Sequence, residues 1–187
     1  MEGGVKIPQG DGTRLEVLAG NRFDFNTVPF SIVWVMRLDV NAANMDIFGM
    51  TGGSGCGGCG GRCGWYIWHR SDSGDTKLQI GNCNAANNYG QGEIPDYNKA
   101  HLWGFTRSGN TVKFYVDGKL NDTQTMGGDF GSVGVKPLKI GDVLEDPTEL
   151  GATLGVVFII YNVELTTDEM ASMWHSFNQG DVMEMDQ

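Results

Sequence analysis

Proline and basic side chains are scarce in this chain, and long apolar runs are absent. Five prolines in 187 residues exclude collagen-like and proline-rich disordered organisation. Thirteen Lys and Arg stand against 23 Asp and Glu, for a net charge of -10. A surface this acidic repels phosphate backbones, which argues against nucleic-acid binding. The longest apolar run, Leu154 to Tyr161, is too short to cross a bilayer, so no membrane insertion is expected. The N-terminal Met1-Glu2-Gly3-Gly4-Val5-Lys6 lacks the basic segment and apolar stretch of a secretory signal. The expectation is a protein made in the cytoplasm and found on a virion surface, or outside the cell after release.

Glycine is abundant, at 29 residues, which favours many strands joined by tight turns. The length suits one domain with a real core, and no composition shift marks a boundary within residues 1–187. Phe30, Ile32, Trp34, Met36 and Leu38 share one face at period two, while Val33 and Val35 make the other face partly apolar. That pattern predicts a long central strand of a sandwich. Trp65 to Arg70 and Thr76 to Ile80 flank the turn cluster Ser71-Asp72-Ser73-Gly74-Asp75, which predicts a hairpin. Leu102–Arg107, Thr111–Val116 and Lys119–Thr125 predict three more strands, the last two joined by Asp117-Gly118. Asp-Gly between strand residues is a strong hairpin signal, because both turn positions want positive φ. Pro137 to Gly141 and Leu154 to Tyr161 complete the strand list.

One helix is marked near the end. Thr166 and Glu169 have capping-box spacing, and Leu165 and Met170 are placed for a hydrophobic staple. Met170, Met173, Trp174 and Phe177 then form an i, i+3, i+4, i+7 stripe that predicts a helix lying on the sandwich. Many short strands, glycine-rich turns and one late helix read as an all-β sandwich.

Several of these segments resemble a known family, the concanavalin A-like, LamG-like jelly-roll domains. Thr106-Arg107, Gly109 and Thr111 through Leu120 resemble its TR-x-G-x-TVK-x-YVDGKL hairpin. Phe30 to Asp39 resembles its FTISFWVKPD strand, and Pro137 to Gly141 its PLKIG strand. Ile160 to Met170 resembles its closing IYNRALSAEEI segment, and Asp11 to Val17 loosely fits its first strand. The likeness implies a two-sheet antiparallel jelly-roll sandwich with one short C-terminal helix. Two positions depart from the pattern. Ala100 stands near a position where relatives often have Trp, and Val156 and Val157 where they often have acidic residues.

Catalysis finds little support. Hydrolytic relatives of this fold carry E-x-D-x-x-E on one strand, which supplies nucleophile and acid at fixed separation, and no such spacing occurs here. No nucleophile motif accompanies the three histidines, and the glycine-rich stretch is not a phosphate loop. No catalytic residue is therefore assigned, and a glycoside hydrolase is the most distant of the readings.

Cys56, Cys59, Cys63 and Cys83 are the most distinctive local feature, and their Cys56–Cys63 insertion lies outside the family pattern. Cys56-Gly57-Gly58-Cys59-Gly60 has the form of a zinc knuckle. A hairpin centred on Ser73 pairs positions summing to 146, which sets Cys63 opposite Cys83, close enough for a disulfide or for two ligands of one metal. Structural zinc and disulfides stand as equal readings, one favoured by a missing signal peptide and the other by an exposed particle protein. Calcium at Asp142, Glu145 and Asp146 is a further expectation, because relatives often carry an ion near a sheet edge. For glycans, the candidates are Tyr89, Tyr97, Asn84, Asn87 and Trp68. Tyr89 and Tyr97 are expected exposed on a long loop, and Asn side chains read hydroxyls. Within a strand, alternation buries about half of the aromatics. The expected function is a non-catalytic, surface-displayed binding or adhesion module, glycan-binding and part of a larger assembly. Its partners are cell-surface glycans or the proteins of that assembly. The alternative is a structural decoration protein, cement or fibre, of a phage-like particle.

Overall fold

A computed structural model describes residues 5–7, 14–20, 23, 25, 28–38, 45–52, 63–70, 77–82, 89–94, 96, 99–126, 136–141 and 152–179. Twelve strands and one helix occur among them. The strands are β1 (Val5–Ile7), β2 (Arg14–Gly20), β3 (Phe30–Leu38), β4 (Met45–Gly52), β5 (Cys63–Arg70), β6 (Lys77–Asn82), β7 (Tyr89–Glu93), β8 (Ala100–Ser108), β9 (Thr111–Val116), β10 (Lys119–Thr125), β11 (Lys136–Gly141) and β12 (Ala152–Tyr161). The helix α1 spans Thr167–Gln179.

The strands form two six-stranded sheets. Sheet I has the order β1-β12-β3-β8-β9-β10, and sheet II the order β2-β11-β4-β5-β6-β7. All neighbours run antiparallel. This is the expected jelly-roll sandwich. The central strand β3 behaves as its pattern predicts: Phe30, Ile32, Trp34, Met36 and Leu38 are buried in the core between the sheets. Trp65, Ile67, Leu78 and Ile80 of sheet II face them across that core. Trp34 meets the Phe48 ring edge-on at 4.9 Å. Trp103 Nε1 donates to Met36 O (2.9 Å), and Trp65 Nε1 to Phe23 O (2.8 Å), so two buried indoles keep their polar edges satisfied.

The outer face of sheet I is closed by α1. Val33, Val35, Leu102 and Tyr115 point outward and are buried with Leu165 and Met170. Ser31 fixes the entry to the helix. Its Oγ donates to Val163 O and accepts from Leu165 N, both at 2.7 Å. Lys113 Nζ bonds Glu164 Oε1 at 2.8 Å beside it. The capping box forms as the spacing predicts: Thr166 N donates to Glu169 Oε2 (2.7 Å), and Glu169 N to Thr166 Oγ1 (3.3 Å). The apolar stripe is covered unevenly, since Met170 is 1 % exposed while Phe177 at its far end is 36 % exposed.

At β9–β10, Asp117 and Gly118 take φ of 51° and 73°, the primed turn expected of Asp-Gly. Pro137 sits at the register shift between Lys136 and Leu138, where a missing N–H costs no ladder bond.

Two expectations need correction. Tyr89 is not on a long loop: it opens β7, whose Gly92 leaves no pattern to read. A Cβ at Gly92 would lie 1.5 Å from the Phe114 ring, so the strand is glycine-rich because sheet I packs directly against it. Glu93 N donates to Asn121 Oδ1 (3.1 Å), joining the two sheets along this edge. The second correction is the register of β5 and β6. Trp65 pairs with Asn82 and Arg70 with Lys77, so paired positions sum to 147. The strands end at Arg70 and resume at Lys77, one residue more than the assumed five-residue turn, which displaces the centre by half a residue. The register that would set Cys63 opposite Cys83 is therefore not the one these strands adopt.

Candidate functional site

Sheet II turns its odd-positioned aromatics inward and its even-positioned ones outward along β5. Trp65 and Ile67 are buried, whereas Tyr66 and Trp68 lie on the outer face and are half-buried. Their rings stack, with centroids 4.6 Å apart and planes inclined by 21°. They reach across the neighbouring strand because Gly81 stands opposite Tyr66. A Cβ at Gly81 would lie 2.6 Å from Trp68 Cζ3 and 2.8 Å from Tyr66 Cε1. Any side chain there would lift both rings, so the glycine is what lets this aromatic pair lie low on the sheet.

The register sets the surroundings. One row runs Glu16, Lys139, Gly49, Tyr66, Gly81, Tyr89 across β2, β11, β4, β5, β6 and β7. The next runs Asp46, Trp68, Gln79, Gln91, and the third Arg70, Lys77, Glu93. The face thus combines two stacked rings, a pair of amides and charges of both signs.

Gln79 is the unusual member. It is 2 % exposed, and its Nε2 donates to Gln91 Oε1 at 2.8 Å. Its Oε1 is buried without a hydrogen-bond partner. A buried amide oxygen without a donor costs roughly 1–3 kcal/mol, a cost that a ligand donor arriving there would remove.

Of the residues expected to bind glycans, Trp68 and Tyr89 are brought to this one face, with Tyr89 placed by its backbone on the rung beside Gly81. Asn84, Asn87 and Tyr97 lie outside the described residues. Tyr66, Gln79 and Gln91 were not among the candidates. Strand alternation could have found Tyr66, which shares its parity with Trp68. No sequence signal marks the two glutamines, whose meeting depends on register. Cys63 is placed by its backbone at the start of β5, opposite Gly52. Cys56, Cys59 and Cys83 lie outside the described residues, as do Asp142, Glu145 and Asp146. Among the described residues, no three His, Cys, Asp or Glu side chains converge as a metal site.

A second polar cluster lies at the start of β8. His101 Nδ1 and Asp117 Oδ2 are 2.8 Å apart. Asp117 Oδ1 also accepts from Leu102 N at 3.1 Å, so the carboxylate binds the hairpin turn back onto β8. His101 is opposite Met36 in the ladder and edge-on to Trp103. This setting gives the pair a packing role, with the carboxylate orienting the ring.

The sequence matches a family model described as the concanavalin A-like lectin/glucanases superfamily, over residues 10–171. The chain belongs to this family. A comparison with curated protein sequences returns no match. Among solved structures, this laminin-G-type chain is similar to the Trypanosoma rangeli sialidase in complex with sialic acid. The identity is 16 % and the TM-score 0.69, covering 100 % of this chain and 29 % of that one. It is also similar to the binding domain of botulinum neurotoxin serotype G, at 16 % identity and TM-score 0.67, covering 91 % of this chain and 42 % of that one. A third likeness is to the binding domain of botulinum neurotoxin DC in complex with rat synaptotagmin II. There the identity is 15 % and the TM-score 0.61, covering 87 % and 40 %. The chain spans less than half the length of each, and at these identities the likeness shows the fold alone.

Proposed function

We propose that this chain is a non-catalytic binding module that recognises cell-surface glycans with the outer face of sheet II. The observation that carries this reading is the Tyr66–Trp68 stack lying flat over Gly81, half-buried and facing away from the core. Sugar rings present flat C–H faces that pack on aromatic rings, and a rigid sheet holds such a platform ready without ordering cost. The amides of Gln79 and Gln91 on the next row supply polar contacts of the kind that fix orientation. The fold supports it by analogy, since similar structures include a sialidase seen with sialic acid and neurotoxin binding domains. The lack of an E-x-D-x-x-E strand supports a role without hydrolysis. In a larger particle, the sandwich would present sheet II outward and attach by another surface.

A glycan array probed with the wild type and with Trp68→Ala, each with and without EDTA, tests this. The expected result is a defined glycan set bound by the wild type, lost in the variant, and unchanged by EDTA. No bound glycan, or equal binding by Trp68→Ala, contradicts the reading. Loss with EDTA would instead move the site to a calcium centre at Asp142, Glu145 and Asp146.

A further inference from the structure

We infer that the outer edge of β2 is where two copies of this chain join, edge to edge, into a dimer with one continuous sheet II; that such a dimer displays two glycan platforms rests on the reading above. The four edge strands differ. β1 has three residues. β7 has its Glu93 N–H taken by Asn121 Oδ1 of β10. β10 breaks its own register between Leu120 and Asp122. Short length, a capping side chain and a bulge each blunt an edge against further pairing. β2 has none of these three. It is seven residues long, its register with β11 is unbroken from Leu138 opposite Val17 to Gly141 opposite Arg14, and among the described residues no strand pairs with its outer side. It also carries apolar surface. Leu15 stands opposite Ile140 and Val17 opposite Leu138, and Ile140 and Leu138 pack in or against the core between the sheets. Leu15 and Val17 share that inner face, yet they are 45 % and 42 % exposed. The core thus runs out to an uncovered rim at this edge, and a second copy covers it.

The β2 sequence selects the register of its own pairing. A twofold axis perpendicular to the sheet keeps each face on its own side, so positions that pair between two copies have the same parity. Pairing Leu15 with Val17 of the second copy sets the two Glu16 carboxylates opposite each other. Pairing Val17 with Val17 sets Glu16 opposite Leu18. Pairing Leu15 with Leu15 sets Glu16 opposite Arg14 of the second copy, twice by symmetry; Arg14 is placed by its backbone, on the rung opposite Gly141. Opposite charges on facing rungs attract and like charges repel, so Leu15 lies on the axis. The net charge of -10 on each chain opposes association at long range. At physiological salt that field decays over about 8 Å, and the pairs at contact are of opposite sign. The joined sheet runs β5-β4-β11-β2 and then through the same strands in reverse in the second copy, with both outer faces on one side of it. The two Tyr66–Trp68 pairs are then seven strand spacings apart, about 34 Å along the sheet. Two platforms on one sheet raise retention on a dense glycan surface without any new contact to sugar.

Sedimentation equilibrium over a concentration series tests the dimer without any sugar. The expected result is a reversible doubling of the 20.3 kDa chain mass. Arg14→Glu and Glu16→Arg each turn both symmetric pairs repulsive, and each should weaken association about tenfold or more. The double variant Arg14→Glu/Glu16→Arg should restore it, as should an equimolar mixture of the two single variants. Leu15→Lys makes the chain less acidic and should nonetheless leave a monomer. Thermal melts establish that each variant is folded. A wild type that stays monomeric throughout the series overturns the inference, as does a dimer indifferent to Leu15→Lys and to both single reversals. Single variants that weaken the dimer with no restoration by the double overturn the Leu15-centred register. Glycan retention is read separately. Leu15→Lys should leave a glycan-coated surface about tenfold faster than the wild type, with unchanged affinity for one soluble oligosaccharide. A dimer that follows the charge swap but binds no glycan keeps the β2 interface and removes the glycan-binding reading instead.

Discussion

The outer face of sheet I carries Val33, Val35, Leu102 and Tyr115, all buried beneath α1 and the segment that leads into it. The outer face of sheet II carries Tyr66 and Trp68, half-buried, with the deeply buried polar Gln79 beside them. Both faces are built on the same pleat and the same alternation, yet they solve different problems. On sheet I, Val33, Val35, Leu102 and Tyr115 pack with Leu165 and Met170, and Ser31 has both a donor and an acceptor contact, while Thr106 opposite it is buried with its Oγ1 unpaired. On sheet II, the aromatics stack on each other, and an amide oxygen is left open. A face completed by the protein's own chain is structural. On the proposed reading, the face that leaves a stacked aromatic pair half-buried is the one that a ligand completes.

The comparison breaks most visibly if stability and binding fail to separate. Met170→Ala, under α1, is expected to cost about 2–5 kcal/mol, the usual range for truncating a buried methionine. Chemical denaturation reads this, and the folded fraction should bind glycan as the wild type does. Ser31→Ala strips a partner from Leu165 N and Val163 O. The expected cost is about 1–3 kcal/mol, again without an effect on binding. Trp68→Ala is expected to do the reverse, with a smaller stability loss and loss of binding. A Trp68→Ala variant that unfolds while Met170→Ala melts normally would invert the roles assigned to the two faces.

Smaller effects sharpen the account of the helix. Thr166→Ala should cost about 1 kcal/mol, as an N-cap does. The Thr166 backbone and hydroxyl donors hold the Glu169 carboxyl below its ordinary value. A carboxylate with a depressed folded-state pKa contributes stability above its unfolded-state pKa, and that contribution fades as pH falls through the folded value. Acid titration of the wild type should therefore loosen α1 more than it does in Glu169→Gln, which has no such proton to gain. Helix-reporting circular dichroism between about pH 6 and pH 3 checks this, a window that brackets a carboxylate titration. The cysteines call for a direct count. Zinc analysis with a thiol assay on the purified chain separates the two readings: one zinc per chain excludes disulfides, and no free thiol without metal excludes zinc.

Much of the fold was legible in the sequence, because its strongest elements carry local signals. The alternation of Phe30 to Leu38, the Asp117-Gly118 turn, and the Thr166/Glu169 box each specify a conformation without help from distant residues. β7 was not legible, since Gly90 and Gly92 have no hydropathy to alternate and the need for Gly92 lies in Phe114, on the other sheet. The register assumed for β5 and β6 differed for a related reason. Register depends on how many residues the turn takes up, and one more than assumed moves every opposite pair. For the candidate site, Trp68 was among the sequence candidates and stands on the proposed face. Gln79 and Gln91 were not, because an amide pair exists only after β6 and β7 are aligned.

The most direct test of the central claim is an amide and indole NMR titration of the isotope-labelled chain with an oligosaccharide selected on the array. The account predicts that signals of Tyr66, Trp68, Gln79, Gly81 and Gln91 shift on binding, while those of Val33, Val35, Leu102 and Tyr115 stay in place. Shifts that map instead to α1 and the outer face of sheet I, or that leave the Trp68 indole unmoved at saturation, would contradict it.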